Sequence, residues 1–435
     1  MINLLNIPTE ILVNITKYLP IEDILNFTSC SKQSRDLLHI IKFNDQVNYA
    51  NIYNLPYFDS FIDVIYSEYC MSAKCDNRIF GTKCRFPKFI RILKWFRHDP
   101  LPDDLPSTIT EIKLEGNYDS SSNFPENLTH LNMLGNKRNT LLPKLPDSLV
   151  SLKISAFYKH NLPELPDTLI SLYLGDCGNK QLPRFPNSLT DLNLGFWNKS
   201  QVIKFPSSLR NLKLGHNYNY PLIRLPERLE QLSLSSYYNH LLPTLPETLT
   251  NLKLGWCYTH SLPKLPNTLI ELRLSEAFNH ELPQLPDTLS VLDLGREFNH
   301  ELPQLPCTLT ELFLSDEFNH ELPQLPDSLI ILCLGYKFNH KLSRLPKSLK
   351  ELFINDEYEH KLPYLPDSLT YLKLNDAFNI LPLPRKPKSL VDLIIHHPET
   401  FIEEIEDIIG YMPPDDLIKA WELASEVMHM HVGKI

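Results

Sequence analysis

The sequence predicts a repeat solenoid of short parallel strands, preceded by a small all-α segment and ended by a helical cap. Three observations carry this prediction. A motif recurs every twenty residues through most of a 435-residue chain. Proline is abundant and glycine scarce, 36 against 12, where average usage gives about 22 and about 30. The first forty-five residues follow another pattern, with helical apolar spacing punctuated by proline.

The composition excludes several classes. Collagen needs glycine at every third place, and flexible linkers need it in quantity. A hydrophobic content of 43% against 22% charged residues does not describe a disordered chain. Neither G-x-G-x-x-G nor G-x-x-x-x-G-K-[ST] occurs, so the usual phosphate-cradling loops are absent and no cofactor is expected. The net charge of -10 leaves an acidic body, which argues against binding a nucleic-acid backbone. No apolar run approaches the ~20 residues of a membrane span, so no membrane partner is expected. No apolar signal segment opens the sequence. The cysteines at 30, 70, 75, 84, 177, 257, 307 and 333 are therefore expected as reduced thiols in cytosol or nucleus. Cys70, Cys75 and Cys84 lack the paired C-x-x-C spacing of a zinc site, so no metal is expected.

Residues 1–45 read as three short helices. Thr9 caps the first, whose apolar stripe is Ile11, Leu12, Ile15 and Leu19. Pro20 ends it, and Ile21, Ile24 and Leu25 restart the pattern. Ser31 caps a third helix through Leu37, Leu38 and Ile41. So small a segment has little core of its own and borrows stability from a partner. Residues 46–100 read as a helical, aromatic-rich connector covering the first edge of the solenoid. Within it Lys83, Arg85, Lys88, Arg91, Lys94 and Arg97 run without an intervening acid, at spacings that suggest the solvated face of an amphipathic helix.

Residues 101–397 hold about fifteen units. The string Leu142-Pro143-x-Leu145-Pro146-x-Ser148-Leu149-x-x-Leu152-x-Ile154 defines the unit, and its second proline returns at Pro166, Pro186, Pro206 and so on to Pro366. A unit of this length cannot hold a core and must stack on its neighbours. Leu152-x-Ile154 is the strand, laid parallel to its successor at ~4.8 Å. Leu142, Leu145, Leu149, Leu152 and Ile154 point inward, and Ser151, Lys153 and Ser155 face the open side. The prolines suit an extended return path, and the Asp147-Ser148 pair offers oxygens to turn amides. A small residue, often Gly or Ser, follows each strand. Next comes an aromatic-Asn-His triplet, clearest at Phe278-Asn279-His280 and its three successors. The aromatic ring is expected to seal the core and the asparagines to hydrogen-bond loop backbone.

His160, His240, His260, His280, His300, His320, His340 and His360 share one repeat position. A parallel column does not converge on a metal, so the expected role is a bond to loop backbone. Neighbouring imidazolium ions would repel by ~1 kcal/mol in high dielectric, so the solenoid is expected to lose stability on acidification toward pH 5. Residues 398–435 read as two helices split by Pro413-Pro414, a cap for the final sheet edge.

The unit resembles the FNIP repeat, a relative of the leucine-rich repeat, so the fold implied is a leucine-rich-repeat-like solenoid. The asparagine of a plain leucine-rich repeat would fall on Phe157, whereas here it stands two places later, and the Phe-Asn-His phasing favours FNIP. Residues 4–45 resemble the F-box, which docks on a Skp-type adaptor of cullin ubiquitin ligases. Ile7-Pro8 matches its opening Leu-Pro, Glu10-Ile11-Leu12 with Ile15 and Leu19 its first helix, Ile24-Leu25 its second, and Cys30 with Lys32 its Val-Cys-Lys/Arg stretch. Two departures weaken the match: Gln33 replaces a common tryptophan, and Phe43 stands near a terminal one. The resemblance implies an adaptor-binding set of Ile7, Pro8, Leu12, Ile15, Leu19, Ile24, Leu25 and Cys30. An F-box before FNIP repeats characterises a family abundant in amoebae and in large amoeba-infecting viruses. It implies a cytoplasmic or nuclear location, in the host cytoplasm if the chain is viral.

These readings converge on a non-enzymatic substrate receptor of a cullin-type ligase, with adaptor and cullin as partners and an unidentified target protein on the repeats. The alternative is a scaffold or decoy that sequesters the adaptor or a host protein. Candidate target contacts are the variable open-side residues Tyr173, Trp197, Tyr237, Trp256, Arg273, Phe313 and Phe353, because aromatic and Arg side chains anchor protein interfaces.

Overall fold

The computed structural model describes residues 13, 16, 19–29, 36–67, 85–96, 101–102, 104–116, 123–136, 141–175, 182–195, 203–355, 357–374 and 387–395. The C-terminal helices expected over 398–435 lie outside the described residues, as do Cys70, Cys75 and Cys84. The chain divides into two compact bodies, Met1–Tyr220 with Pro226–Leu229, and Pro221–Leu225 with Glu230–Ile435.

The first body begins with helix α1 (Ile21–Ser29) and a 3-10 turn at Asp36–His39. Strand β1 (Phe43–Asn48), the one-turn helix α2 (Tyr49–Ile52), a second 3-10 turn at Phe58–Ser60 and strand β2 (Phe61–Ser67) follow. Next come β3 (Ile92–Phe96), β4 (Glu111–Gly116) and β5 (His130–Asn136). Four three-residue strands complete the body: β6 (Ser151–Lys153), β7 (Ser171–Tyr173), β8 (Asp191–Asn193) and β9 (Asn211–Lys213). Each strand pairs in parallel with the next, and Leu152, Leu172, Leu192 and Leu212 stand in register.

Two sequence expectations change here. Residues 46–100 are not a helical connector: their described part holds the end of β1 and all of β2 and β3, strands of the same parallel sheet, beside one short helix and a 3-10 turn. Leu93 and Trp95 are buried while Ile92, Lys94 and Phe96 are half-buried, a period of two that Ile92 hides in the sequence. The basic run is correspondingly not a helical face. Lys94 Nζ bonds Asp63 Oδ2 at 2.8 Å and Gln46 Oε1 at 2.7 Å. Arg85 lies over the Phe58 ring at 4.5 Å, and Lys42 and Lys88 flank Phe89. These charges hold the first rungs together.

The second body repeats the rung with greater regularity. Its strands are β10 (Gln231–Ser233), β11 (Asn251–Lys253), β12 (Glu271–Arg273), β13 (Val291–Asp293) and β14 (Glu311–Phe313). They continue through β15 (Ile331–Cys333), β16 (Glu351–Phe353), β17 (Tyr371–Leu374) and β18 (Asp392–Ile395). All pair in parallel with their successors.

Each rung is built from the same parts. The Pro-x-x-Leu turn closes when the Leu amide donates to the Pro carbonyl, as from Leu309 to Pro306 at 3.2 Å. The Ser or Thr inside that turn was expected to serve its own turn's amides. It donates instead to the preceding rung: Thr308 Oγ1 bonds the Asp287 and Leu289 carbonyls at 2.6 and 2.8 Å. The leucines at the turn, strand and strand end are buried, as in Leu309, Leu312 and Leu314, and each such side chain contributes roughly 1.5–3 kcal/mol.

The small residue after the strand also differs from expectation. Ser155, Ser235, Ser275 and Ser315 do not face the open side but are buried. Ser275 Oγ donates to the Tyr258 carbonyl at 2.7 Å and Ser315 Oγ to that of Phe298 at 2.5 Å. Where glycine takes this place the preceding rung is in close approach: a Cβ on Gly335 would sit 1.6 Å from the Ser315 carbonyl oxygen. Gly195 and Gly295 add a left-handed backbone, with φ of 57° and 70°, that side chains resist.

The aromatic-Asn-His triplet forms three ladders. Tyr238, Tyr258, Phe278, Phe298, Phe318, Phe338 and Tyr358 stack in the core with centroids 6.2–6.4 Å apart and planes within 9°. The Oδ1 atoms of Asn279, Asn299, Asn319 and Asn339 each accept the backbone N–H twenty residues on, at 3.0–3.1 Å. Each histidine from His260 to His360 sets Nε2 against the carbonyl twenty-one residues back, at 2.6–3.2 Å. A carbonyl only accepts, so Nε2 carries the proton and Nδ1 is the site of further protonation.

Candidate functional site

Two surfaces carry the sequence-derived candidates. At the F-box segment, Ile7, Pro8, Leu12, Ile15 and Cys30 lie outside the described residues. Leu19 is exposed and Leu25 half-buried, which leaves both accessible to an adaptor. Ile24 is buried, at 2% exposure. Around it Thr28 Oγ1 donates to the Ile24 carbonyl at 2.9 Å, closing the last turn of α1.

The segment is fused to the sheet. Leu37, Leu38 and Ile41 are buried, and the Leu38 carbonyl accepts from Ser60 Oγ at 2.6 Å. Phe43, the first residue of β1, is 1% exposed and stacks on Phe61 of β2 at 5.0 Å. Tyr49 of α2 stacks on Tyr66 at 4.5 Å, and Tyr66 on Trp95 at 5.5 Å. Phe43 therefore fills the place near a terminal tryptophan by anchoring the first strand, and the boundary expected at residue 45 falls inside that strand.

The target-binding candidates separate into two groups, and Trp197 lies outside the described residues. Tyr173, Arg273, Phe313 and Phe353 are third residues of their strands and stand half-buried on the open face. Tyr237 and Trp256 stand off the strands on the following turns, 51% and 56% exposed. Arg273 is tied down: its Nε donates to Glu271 Oε1 at 2.5 Å and its other nitrogen lies 3.5 Å from Asp293. Asn251 Nδ2 donates to the second Glu271 oxygen at 2.7 Å, so β11–β13 satisfy one another's charges. Burial opposes ionisation of Glu271, but the Arg273 bond and charge win and hold its carboxyl below the usual range.

Sequence reasoning missed the outward residues that share a row with Phe313 and Phe353, namely Glu311, Ile331, Cys333, Glu351 and Tyr371. Reading strand positions one and three as separate columns finds them. Burial pushes the Cys333 thiol up to about 12, a poor nucleophile. Among the described residues no cluster of His, Cys, Asp and Glu could hold a metal. A cavity of about 340 Å³ opens between two rungs of the first body, lined by Phe185 and Phe205 with Arg184 and Lys204 at its rim. Among the described residues no helix is long and apolar enough to cross a membrane.

Parallel strands, inward leucines and rung-to-rung ladders define a leucine-rich-repeat solenoid, and a solved structure agrees. CroV588, a circular LRR protein, matches at 26% identity and a TM-score of 0.56, over 78% of this chain and 60% of its own. The chain thus spans less than two thirds of that relative. YopM from Yersinia enterocolitica WA-314 matches at 22% identity and TM-score 0.46, over 83% and 93% of the two chains. YopM from Yersinia pestis matches at 24% and 0.45, over 72% and 85%. No curated protein matches the sequence. The F-box domain model matches residues 4–46 and the FNIP Repeat model residues 318–357. The chain carries an F-box followed by FNIP repeats.

Proposed function

We propose that this protein is the substrate-recognition subunit of a cullin-type ubiquitin ligase. The F-box engages a Skp-type adaptor, the repeats hold a target protein, and the chemistry of ubiquitin transfer belongs to other subunits. The observation that carries the reading is the F-box match at 4–46 running directly into β1 of the repeat sheet. An F-box suggests adaptor binding, and a long parallel sheet with one open face suggests a protein-binding platform.

The test is reconstitution of the full chain with a Skp-type adaptor and a cullin. Wild type should recover both, and Leu12→Asp or Leu19→Asp should lose both by placing a charge in an apolar docking face. Recovery of adaptor without cullin would instead identify a protein that sequesters the adaptor. No recovery of adaptor by wild type would remove the proposal.

A further inference from the structure

The open face of the second body changes character along its length. Over β11–β13 the outward side chains pair with one another, as described for Asn251, Glu271, Arg273 and Asp293. Over β14–β17 the two outward carboxylates, Glu311 and Glu351, do not. One column reads Glu311, Ile331, Glu351, Tyr371 and its neighbour reads Phe313, Cys333, Phe353, Lys373, in register across the strands. Phe353 and Tyr371 lie ring to ring at 5.0 Å. Among the described residues neither the Glu311 nor the Glu351 carboxylate has a hydrogen bond or ion pair. Burial first, then the charges of Glu351 and Asp392, raise the Tyr371 hydroxyl, whereas Lys373 acts in the opposite sense on Cys333.

We propose that the face of β14–β17 docks an amphipathic helix of a target protein, one that carries basic side chains one heptad apart with apolar side chains between them. The proposal rests on the reading of the repeats as the target-binding part and names the chemistry of what they take. Charge complementarity argues the sign: two carboxylates without a hydrogen bond or ion pair bracket Ile331 and outnumber Lys373, the cation of the same columns, although the charge of Glu311 also reaches Arg273. Spacing argues the shape. Glu311 and Glu351 are two rungs apart, ~9.6 Å at a strand spacing of ~4.8 Å, and residues i and i+7 of a helix are separated by ~10.5 Å. The intervening i+3 and i+4 side chains fall over Ile331 and into the notch that Cys333 leaves between Phe313 and Phe353. An extended segment on the same axis steps ~6.6 Å between side chains of one face and loses phase with the rungs. These strands are paired on both sides, so a partner cannot add to them as a strand.

The probe is a fluorescein-labelled 18-residue helical peptide with Lys at i and i+7 and Leu at i+3 and i+4, titrated against the full chain by anisotropy. It should bind wild type at least tenfold more tightly than it binds Glu311→Lys/Glu351→Lys or Phe313→Ala/Phe353→Ala. A peptide with Glu at i and i+7 should prefer the Lys-bearing variant. Matched thermal melts establish that the variants fold. Equal binding of a scrambled peptide of the same composition, no binding by wild type, or variants without effect would each overturn the proposal. Adaptor capture by the same preparations separates the two claims. Capture without peptide binding removes the docking site alone, whereas charge-swapped binding without capture removes the receptor reading and leaves the docking site standing.

Discussion

Glu271 and Glu276 lie five residues apart and respond to their surroundings in opposite directions. For Glu271 the bonds from Arg273 and Asn251 outweigh burial, and its carboxyl falls below the usual range. For Glu276 burial against the sheet, then the charges of Asp293, Asp316 and Glu297, raise the carboxyl, with Arg296 opposing. A lowered carboxylate contributes stability that is complete above its unfolded value and lost as pH falls through the folded one. A raised carboxylate does the reverse: its ionisation costs stability that appears as pH rises through the shifted value. At pH 7 Glu271→Gln should therefore lower the melting temperature and Glu276→Gln should raise it. Each difference should shrink as pH falls through the folded-state value of the carboxyl concerned, last for Glu271, whose value is lowered. Glu276 remains largely exposed, so solvent screens its effect, which should be the smaller of the two. Opposite signs at pH 7 in differential scanning fluorimetry check the assignment.

At the scale of the element, the ladders decide which rungs are tightest. Asn319 Oδ1 accepts the Asn339 amide while the Asn319 amide is itself accepted by Asn299. Asn319→Ala leaves the Asn339 N–H, whose bond lies exposed, to water, at a net cost of about 0.5–1.5 kcal/mol, and Asn319→Asp keeps an acceptor in place. Hydrogen exchange should rise at residue 339 in the Ala variant and stay near wild type in the Asp variant. The rungs were legible in the sequence because each column repeats: inward leucines, the core aromatic and the loop asparagine recur every twenty residues and average out local noise. The first rungs were not legible. Their strands are spaced irregularly, and Ile92, Arg91 and Lys94 imitate a helical stripe that pairing with β2 and β4 overrides. The buried serines were misplaced for a related reason. Strict alternation puts Ser155 outward, but the strand ends at Lys153 and the chain turns the hydroxyl inward. On the open face, aromatic type singles out Phe313 and Phe353 in the sequence, whereas nothing in residue type singles out Glu311 and Glu351, which register alone places beside them.

In the first body, the F-box and the opening rungs share one core. Ser60 in the turn before β2 holds the carbonyl of Leu38, and Phe43 lies against Phe61. Residues 36–48 and 58–67 should therefore open together: hydrogen exchange by mass spectrometry should give both stretches the same protection. Ser60→Ala should raise exchange in both. Protection lost over 36–48 alone would show that the segment folds apart from the sheet. The parallel pairing of β1 with β2 carries most of this coupling, since Val47 and Val64 stand in register along it.

That shared strand also decides where the molecule can be cut and rejoined. A graft that ends the F-box at residue 42 would leave Phe61 and Val64, 1% and 0% exposed at present, facing water. A graft that takes β1 along would carry Phe43 to a recipient that must already offer a ring for it to lie against. The exchangeable piece is therefore the F-box together with its receiving strands, through Ser67.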